Sequence, residues 1–367
     1  MPALMLKTGA WEYQLLPRIS QLSALIFAGL SKNAGKTTAF NALNALFPGQ
    51  PLGLTSIGHD GEAFDAIDNH PKPPIPVFPG QLVLTAERFL PENEAGYNLL
   101  EKWGNHPQYG PWLILRVTAP GNLRLAGPST LSELRLGVSN LRHCGATRIH
   151  IDGALNRLSH ICLFSSPALS SKKERAEFEF QDTGIILSLG AAWGDTWPLL
   201  VEQSLHILEL FKLPTFTSQR NSANAKLKAD IPLQHNAYLQ QDTWTCLPAP
   251  LWHQELLIPP HTEVIYLKGA FTDAFYLTLR AQKRLPQKFV VRSPAQILLS
   301  LNTWQILKSG GIAVQLLERP KLALITLCPW HPRNPVSTCR LAEALLPYSQ
   351  VPLVDVQSRQ VWLPAKC

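Results

Sequence analysis

The sequence predicts an α/β protein with a mainly parallel sheet, followed by a smaller C-terminal α/β domain. Three observations predict it. Short, continuous apolar runs such as Ala24-Leu25-Ile26-Phe27-Ala28 recur along the chain, as strands buried on both faces require. Segments with helical spacing separate these runs, and such alternation brings strands together in parallel beneath helices. The chain has 367 residues, 46% of them hydrophobic, which is enough for two or three domains with cores of their own.

The elements follow in order. Ala24 to Ala28 is a central strand. Thr37 to Phe47 reads as a helix with Phe40, Leu43, Leu46 and Phe47 on one face, and Pro48-Gly49 ends it. Leu52 to Ser56 is a second strand. Ile75 to Phe78 and Gln81 to Thr85 are short strands, and Trp112 to Val117 is a buried one. Ser129 caps a helix from Leu131 to His143 that Gly145 ends. Strands then cover Arg148 to Ile151 and Thr183 to Leu189, and Trp197 to Phe211 is an amphipathic helix. The polar, proline-bearing stretch after it reads as a connection. Beyond it come strands at 263–267, 288–291, 312–316, 322–327 and 351–354. The helices of this half are 273–282, 294–301 and 339–346. The expected division is therefore a first domain over 1–215, a connecting segment over 216–260 and a smaller α/β domain over 261–367.

The residues between the first strand and the first helix carry the chemistry. Gly29, Ser31, Asn33, Ala34 and Gly35 are small or turn-forming, and Lys36-Thr37-Thr38 follows at once. Small residues let backbone amides turn inward around phosphate oxygens, and a helix N-terminus favours negative charge. Lys36 would set a point charge on the β- and γ-phosphates. Thr37 would ligate Mg²⁺, and Thr38 would lie near the α-phosphate. The first domain is thus predicted to be a P-loop NTPase domain. Five residues separate Gly29 from Gly35 rather than the usual four. That spacing resembles the loop of dethiobiotin synthetases and of the amidotransferase ligases of cobyrinic acid synthesis. Lys32 adds a second basic side chain to the loop.

Phosphate chemistry of this kind needs an acid to hold magnesium. Asp152, at the end of the strand Ile149-His150-Ile151 and before Gly153, has the form of a Walker B aspartate; its alternative role is a turn or N-cap residue. Arg157, just after it, is a candidate to reach a phosphate; its alternative role is a surface arginine. Thr55 to Glu62 opens from the second strand at the same sheet edge, and its Asp60 and Glu62 are further candidates for magnesium or water. For Asp60 the alternative is an Asp-Gly turn, and His59 reads as a surface histidine. The predicted catalytic residues are Lys36, Asp60 and Asp152, and the predicted metal ligands are Thr37, Asp60, Glu62 and Asp152. No N-K-x-D guanine signature occurs, so ATP with Mg²⁺ is the expected cofactor.

The formal net charge is +7. Its lysines and arginines are scattered, so a solvated basic surface is expected rather than a nucleic-acid partner. Six cysteines lack zinc-ligand spacing. No apolar run approaches a membrane span, and no secretory leader pattern opens the chain. A cytoplasmic protein without a membrane partner is the expectation.

Several blocks together resemble one family. They are Gly29–Thr38, Gly53–Gly58 with Asp60-Gly61-Glu62, and Ile151-Asp152-Gly153-Ala154-Leu155-Asn156-Arg157. Leu267–Asp273 and Pro352–Val356 follow in the second half. In this order they resemble the P-loop subunit of lysine 5,6-aminomutase reactivase. Asn156 stands where that family usually has aspartate, and Cys328–Pro335 lacks the acids of the family's corresponding segment. The resemblance implies a chaperone-like ATPase. Its partners would be an adenosylcobalamin-dependent aminomutase and a second reactivase subunit, and its work the release of damaged cobalamin. Two other functions fit the loop: a ligase of the dethiobiotin synthetase kind that activates a carboxylate, and a nucleotide-binding regulator without fast turnover.

Overall fold

The computed structural model describes residues 11–29, 31, 33–47, 50–58, 74–153, 182–216, 231–247, 258–331 and 333–365. Contacts divide the chain into two units. The first joins Met1–Ser204 with Lys321–Cys367, and the second is Leu205–Pro320.

The first unit opens with α1 (Trp11–Ile19), β1 (Ala24–Gly29), α2 (Lys36–Asn44) and β2 (Leu52–Ser56). Strands β3 (Ile75–Val77), β4 (Leu82–Ala86), β5 (Gly96–His106), β6 (Gly110–Ala119) and β7 (Gly121–Leu123) follow. Then come α3 (Leu131–His143), β8 (Arg148–Asp152), β9 (Thr183–Gly190) and α4 (Trp197–Lys212), whose last residues belong to the second unit. The second unit holds β10 (Ala237–Gln240), β11 (Thr243–Cys246), β12 (Val264–Leu267), β13 (Phe271–Thr272) and α5 (Asp273–Ala281). It continues with β14 (Lys288–Val291), β15 (Ile297–Leu298), α6 (Leu301–Ser309) and β16 (Ala313–Leu316). The chain then returns to the first unit with β17 (Lys321–Cys328), α7 (Thr338–Leu345), β18 (Leu353–Asp355) and β19 (Gln360–Trp362).

The protein is α/β with a large, mostly parallel central sheet. Its ten strands run β19-β18-β17-β9-β1-β8-β2-β4-β6-β5. Those from β18 to β4 are parallel, and β19, β6 and β5 are antiparallel additions at the two edges. The central strands are buried along their length, which is why they read as unbroken apolar runs. From β1 the chain winds outward to β2 on one side, fills the gap with β8, and then crosses to β9 on the other. The winding therefore reverses at β1. In open sheets a ligand crevice lies outside the carboxyl ends at such a point.

One core cluster links α1, α2 and the sheet through Leu15, Ile19, Phe27, Phe40, Leu43 and Leu54. Arg148 anchors the turn after α1. Its guanidinium donates to the carbonyls of Ile19, Ser20 and Leu22 at 2.6–2.7 Å and stacks 4.3 Å above Phe47. The second unit has its own sheet, β11-β10-β12-β14-β16, with β12, β14 and β16 parallel. Its separate core includes Phe216, Leu239, Val264, Tyr266 and Val290.

Several expectations change. The strands at 322–327 and 351–354 belong to the first unit's sheet, where β17 pairs with β9. The contacts thus make the second unit an insertion, Leu205–Pro320, not a C-terminal domain from 261. An apolar run specifies a buried strand but not which sheet receives it. The expected connection over 216–260 contains the β10–β11 hairpin. Residues 294–301 form one 3₁₀ turn and then β15 rather than a helix, because Ile297 and Leu298 pair with β13. Thr130 rather than Ser129 caps α3, its hydroxyl accepting from Glu133 N. The helices α1 and α6 and the long strand β5 were not anticipated.

Candidate functional site

The loop from β1 to α2 lies at the carboxyl end of the switch-point strand. Asn33 and Gly35 both adopt the left-handed conformation, with φ of 60° and 84°. Asparagine and glycine tolerate it best. Together they turn the chain sharply enough for Lys36 to begin α2. The lysine stem folds back over the start of the loop: a Cβ on Gly29 would stand 2.7 Å from Lys36 Cγ. The absence of a side chain at Gly29 leaves the room that the Lys36 stem fills.

Two other strand ends brace this turn. A Cβ on Gly190, at the end of β9, would lie 2.8 Å from Ala34 Cα. Cys328, at the end of β17, packs against Gly35 and places Sγ 3.7 Å from the Asn33 carbonyl. Burial pushes the Cys328 thiol above its ordinary value, outweighing the Trp330 backbone amide. That makes it a packing group rather than a thiolate. Neither Gly190 nor Cys328 was legible as part of the site, since each comes from a strand that only the sheet order brings beside the loop.

The N-terminus of α2 has no side-chain cap and no acid in its first turn. Four other helices, α3, α5, α6 and α7, receive a hydroxyl cap from Thr130, Thr272, Ser300 and Ser337. Lys36 in the first position of α2 also opposes the helix dipole. A helix N-terminus of this kind favours an anion. Thr37 and Thr38 are half-buried in the same first turn.

Asp152 ends β8, the strand beside β1, in register with Phe27 on one side and Ser56 on the other. The Phe27 carbonyl accepts from Gly153 N, and the Asp152 carbonyl accepts from Ile57 N, each at 2.8 Å. These bonds fix Asp152 at the carboxyl end of the strand beside β1, level with Phe27 and two residues short of Gly29. The structure thus gathers Gly29, Ser31, Asn33, Ala34, Gly35, Lys36, Thr37, Thr38 and Asp152 at one edge. Lys32, His59, Asp60, Glu62 and Arg157 lie outside the described residues. Among the described residues no group of three or more His, Cys, Asp or Glu side chains is placed to hold a metal ion. A magnesium ion here would rest on Thr37 and Asp152, the phosphates and water, which suits a cation that keeps several waters.

Behind the loop, His150 is fully buried among Phe27, Phe40 and Phe47. Its Nδ1 lies 2.6 Å from Asn44 Oδ1 on α2. Burial, with a smaller contribution from Arg148, pushes its pKa down to about 3. It is a neutral core group that ties α2 to β8, not a catalytic base.

Comparison with protein-family models, with curated proteins and with solved structures found no match. No described helix is long and apolar enough to cross a membrane.

Proposed function

We propose that this chain binds a nucleoside triphosphate with magnesium on the β1–α2 loop and hydrolyses it to change the shape of a partner protein. One observation carries the reading. At the switch point of the sheet, the N-terminus of α2, which lacks the hydroxyl cap that α3, α5, α6 and α7 have, carries a lysine whose stem packs over Gly29.

Backbone amides from Ser31 to Gly35 and the first turn of α2 would hold the β- and γ-phosphates. Lys36 supplies the fixed positive charge. Thr37, in the first turn of α2, and Asp152, at the end of β8, would take magnesium at the carboxyl edge of the sheet. Magnesium would neutralise the charge developing on the transferred phosphoryl group. ATP is the expected nucleotide, and the Thr55–Glu62 segment is the element whose state the γ-phosphate would bias.

The resemblance to the reactivase P-loop subunit supplies the partner: an adenosylcobalamin-dependent aminomutase, whose damaged cobalamin the hydrolysis would release. Phosphate release from Mg-ATP, measured with the chain alone and with such an aminomutase, tests both levels. Stimulation by the aminomutase, abolished by Asp152→Asn, is the expected result. Equal turnover with and without it would reject the partner, and absence of any Mg-ATP binding would reject the site.

A further inference from the structure

The periods of α2 and β8 place their polar residues in two matching rows. Thr37, Phe40 and Asn44 are spaced by three and then four positions on α2, so they share one stripe of the helix, about 10 Å long at about 1.5 Å per residue. His150 and Asp152 alternate along β8, so they share one face of the strand. The contacts of His150 identify that face as the one α2 covers. Its Nδ1 lies 2.6 Å from Asn44 Oδ1, and the Phe40 ring packs 6.5 Å away. The stripe on α2 therefore leads from Asn44, against His150, towards Thr37 at the carboxyl edge, where β8 ends in Asp152.

Stability alone does not account for this bond. Both residues are buried, and Asn44 Nδ2 and His150 Nε2 have no hydrogen-bond partner among the described residues. An apolar pair of the same size would leave no polar atom unsatisfied. A short hydrogen bond supplies what apolar contact does not: a fixed length and direction. Asn44 Oδ1 can only accept, so His150 Nδ1 carries the proton. The rings of Phe27 and Phe47, at 5.7 and 5.4 Å, hold the imidazole in place.

We infer that Asn44 and His150 are the positioning pair of the magnesium site: their bond sets where Thr37, on α2, stands relative to Asp152, on β8. The inference rests on the phosphate-loop reading proposed above. A helix of two turns is stiff, so tying its Asn44 end to β8 also sets its Thr37 end against the last residue of that strand. Magnesium demands near-ideal octahedral geometry with bonds of about 2.0–2.1 Å, whereas calcium accepts bonds of about 2.3–2.6 Å in a looser shell. Holding the two protein oxygens in place therefore favours the smaller ion. Asn44 and His150 act only through Thr37 and Asp152.

Calorimetric titration of the full chain with a non-hydrolysable ATP analogue, in Mg²⁺, in Ca²⁺ and in EDTA, tests this. Asn44→Leu and His150→Phe each remove the bond and keep a buried side chain of similar size. Each should lower affinity in Mg²⁺ about tenfold, lower it less in Ca²⁺ and leave it unchanged in EDTA, where Lys36 and the loop amides bind alone. Combining the two should add nothing further. Phe40→Leu loosens the same interface without touching the bond; it should lower the melting temperature and keep the magnesium-to-calcium ratio of affinities. Circular dichroism establishes that each variant is folded, and if one of the pair is not, the other decides. An unchanged ratio in a folded variant, equal losses in all three conditions, the same narrowing in Phe40→Leu, or failure of both variants to fold would each overturn the inference and leave the phosphate-loop reading standing. A parent chain that binds the analogue in no condition would overturn that reading, and one that binds without regard to metal would overturn its magnesium site; the inference falls in either case.

Discussion

The β1–α2 connection of the first unit and the β12–α5 connection of the second, which passes through the two-residue β13, both lead from a buried parallel strand to a nine-residue helix. Their helix starts differ at each position that matters. At α5, Thr272 caps the Phe275 amide, and Asp273 places a carboxylate in the first turn. Burial raises the Asp273 pKa, but hydrogen bonds from Ser300 and Thr303 outweigh it and hold the carboxyl below its usual range. At α2 a left-handed glycine replaces the capping threonine and a lysine replaces the aspartate. One turn supplies its own anion, and the other carries a cation at the same place.

The largest expected effect breaks the α2 side of the contrast. Lys36→Ala should weaken Mg-ATP binding about a hundredfold, the scale of one charge-assisted contact. Calorimetry should show this while the melting temperature holds; retained affinity would remove the functional reading of α2. Gly35→Thr copies the α5 cap onto α2, yet it should not produce a capped helix. Residue 35 sits at φ 84° with Cys328 Cβ 2.9 Å from the new Cβ. A destabilisation of about 2 kcal/mol is expected in urea melts, together with loss of nucleotide binding.

The floors beneath the two helices sharpen the contrast through pH. Under α2 lies His150, neutral in the folded state and depressed to about 3, whereas α5 packs on Phe271 and Phe289. Below pH 6.5 the unfolded chain takes up a proton that the folded chain refuses. The His150 contribution to stability is therefore full above pH 6.5 and falls by up to about 1.4 kcal/mol per pH unit towards pH 3. Hydrogen exchange at pH 7 and pH 5 should show α2 losing protection before α5, and His150→Leu should flatten the difference. The smallest effect is on the α5 side. Thr272→Ala should cost about 1 kcal/mol of stability and leave Mg-ATP affinity untouched; a change in affinity would mean the two turns are not independent.

The amino-acid sequence by itself determined the buried parallel strands of the two larger sheets, the helix that follows β1 and the phosphate-loop candidates. These are local properties. A strand buried on both faces must be apolar throughout, and a tight turn onto a helix needs glycine, so Ala24–Ala28 and Gly29–Thr38 announce themselves without a partner. What sequence alone could not decide was which strand lies beside which. The pairing of β17 with β9, the return of Lys321–Cys367 to the first sheet, the bracing of the loop by Gly190 and Cys328, and the bond between Asn44 and His150 join residues up to 295 positions apart. Apolar runs carry no address, because many buried strands could satisfy one another's hydrogen bonds. Only the packed sheet order selects one arrangement, and with it the neighbours of the β1–α2 loop.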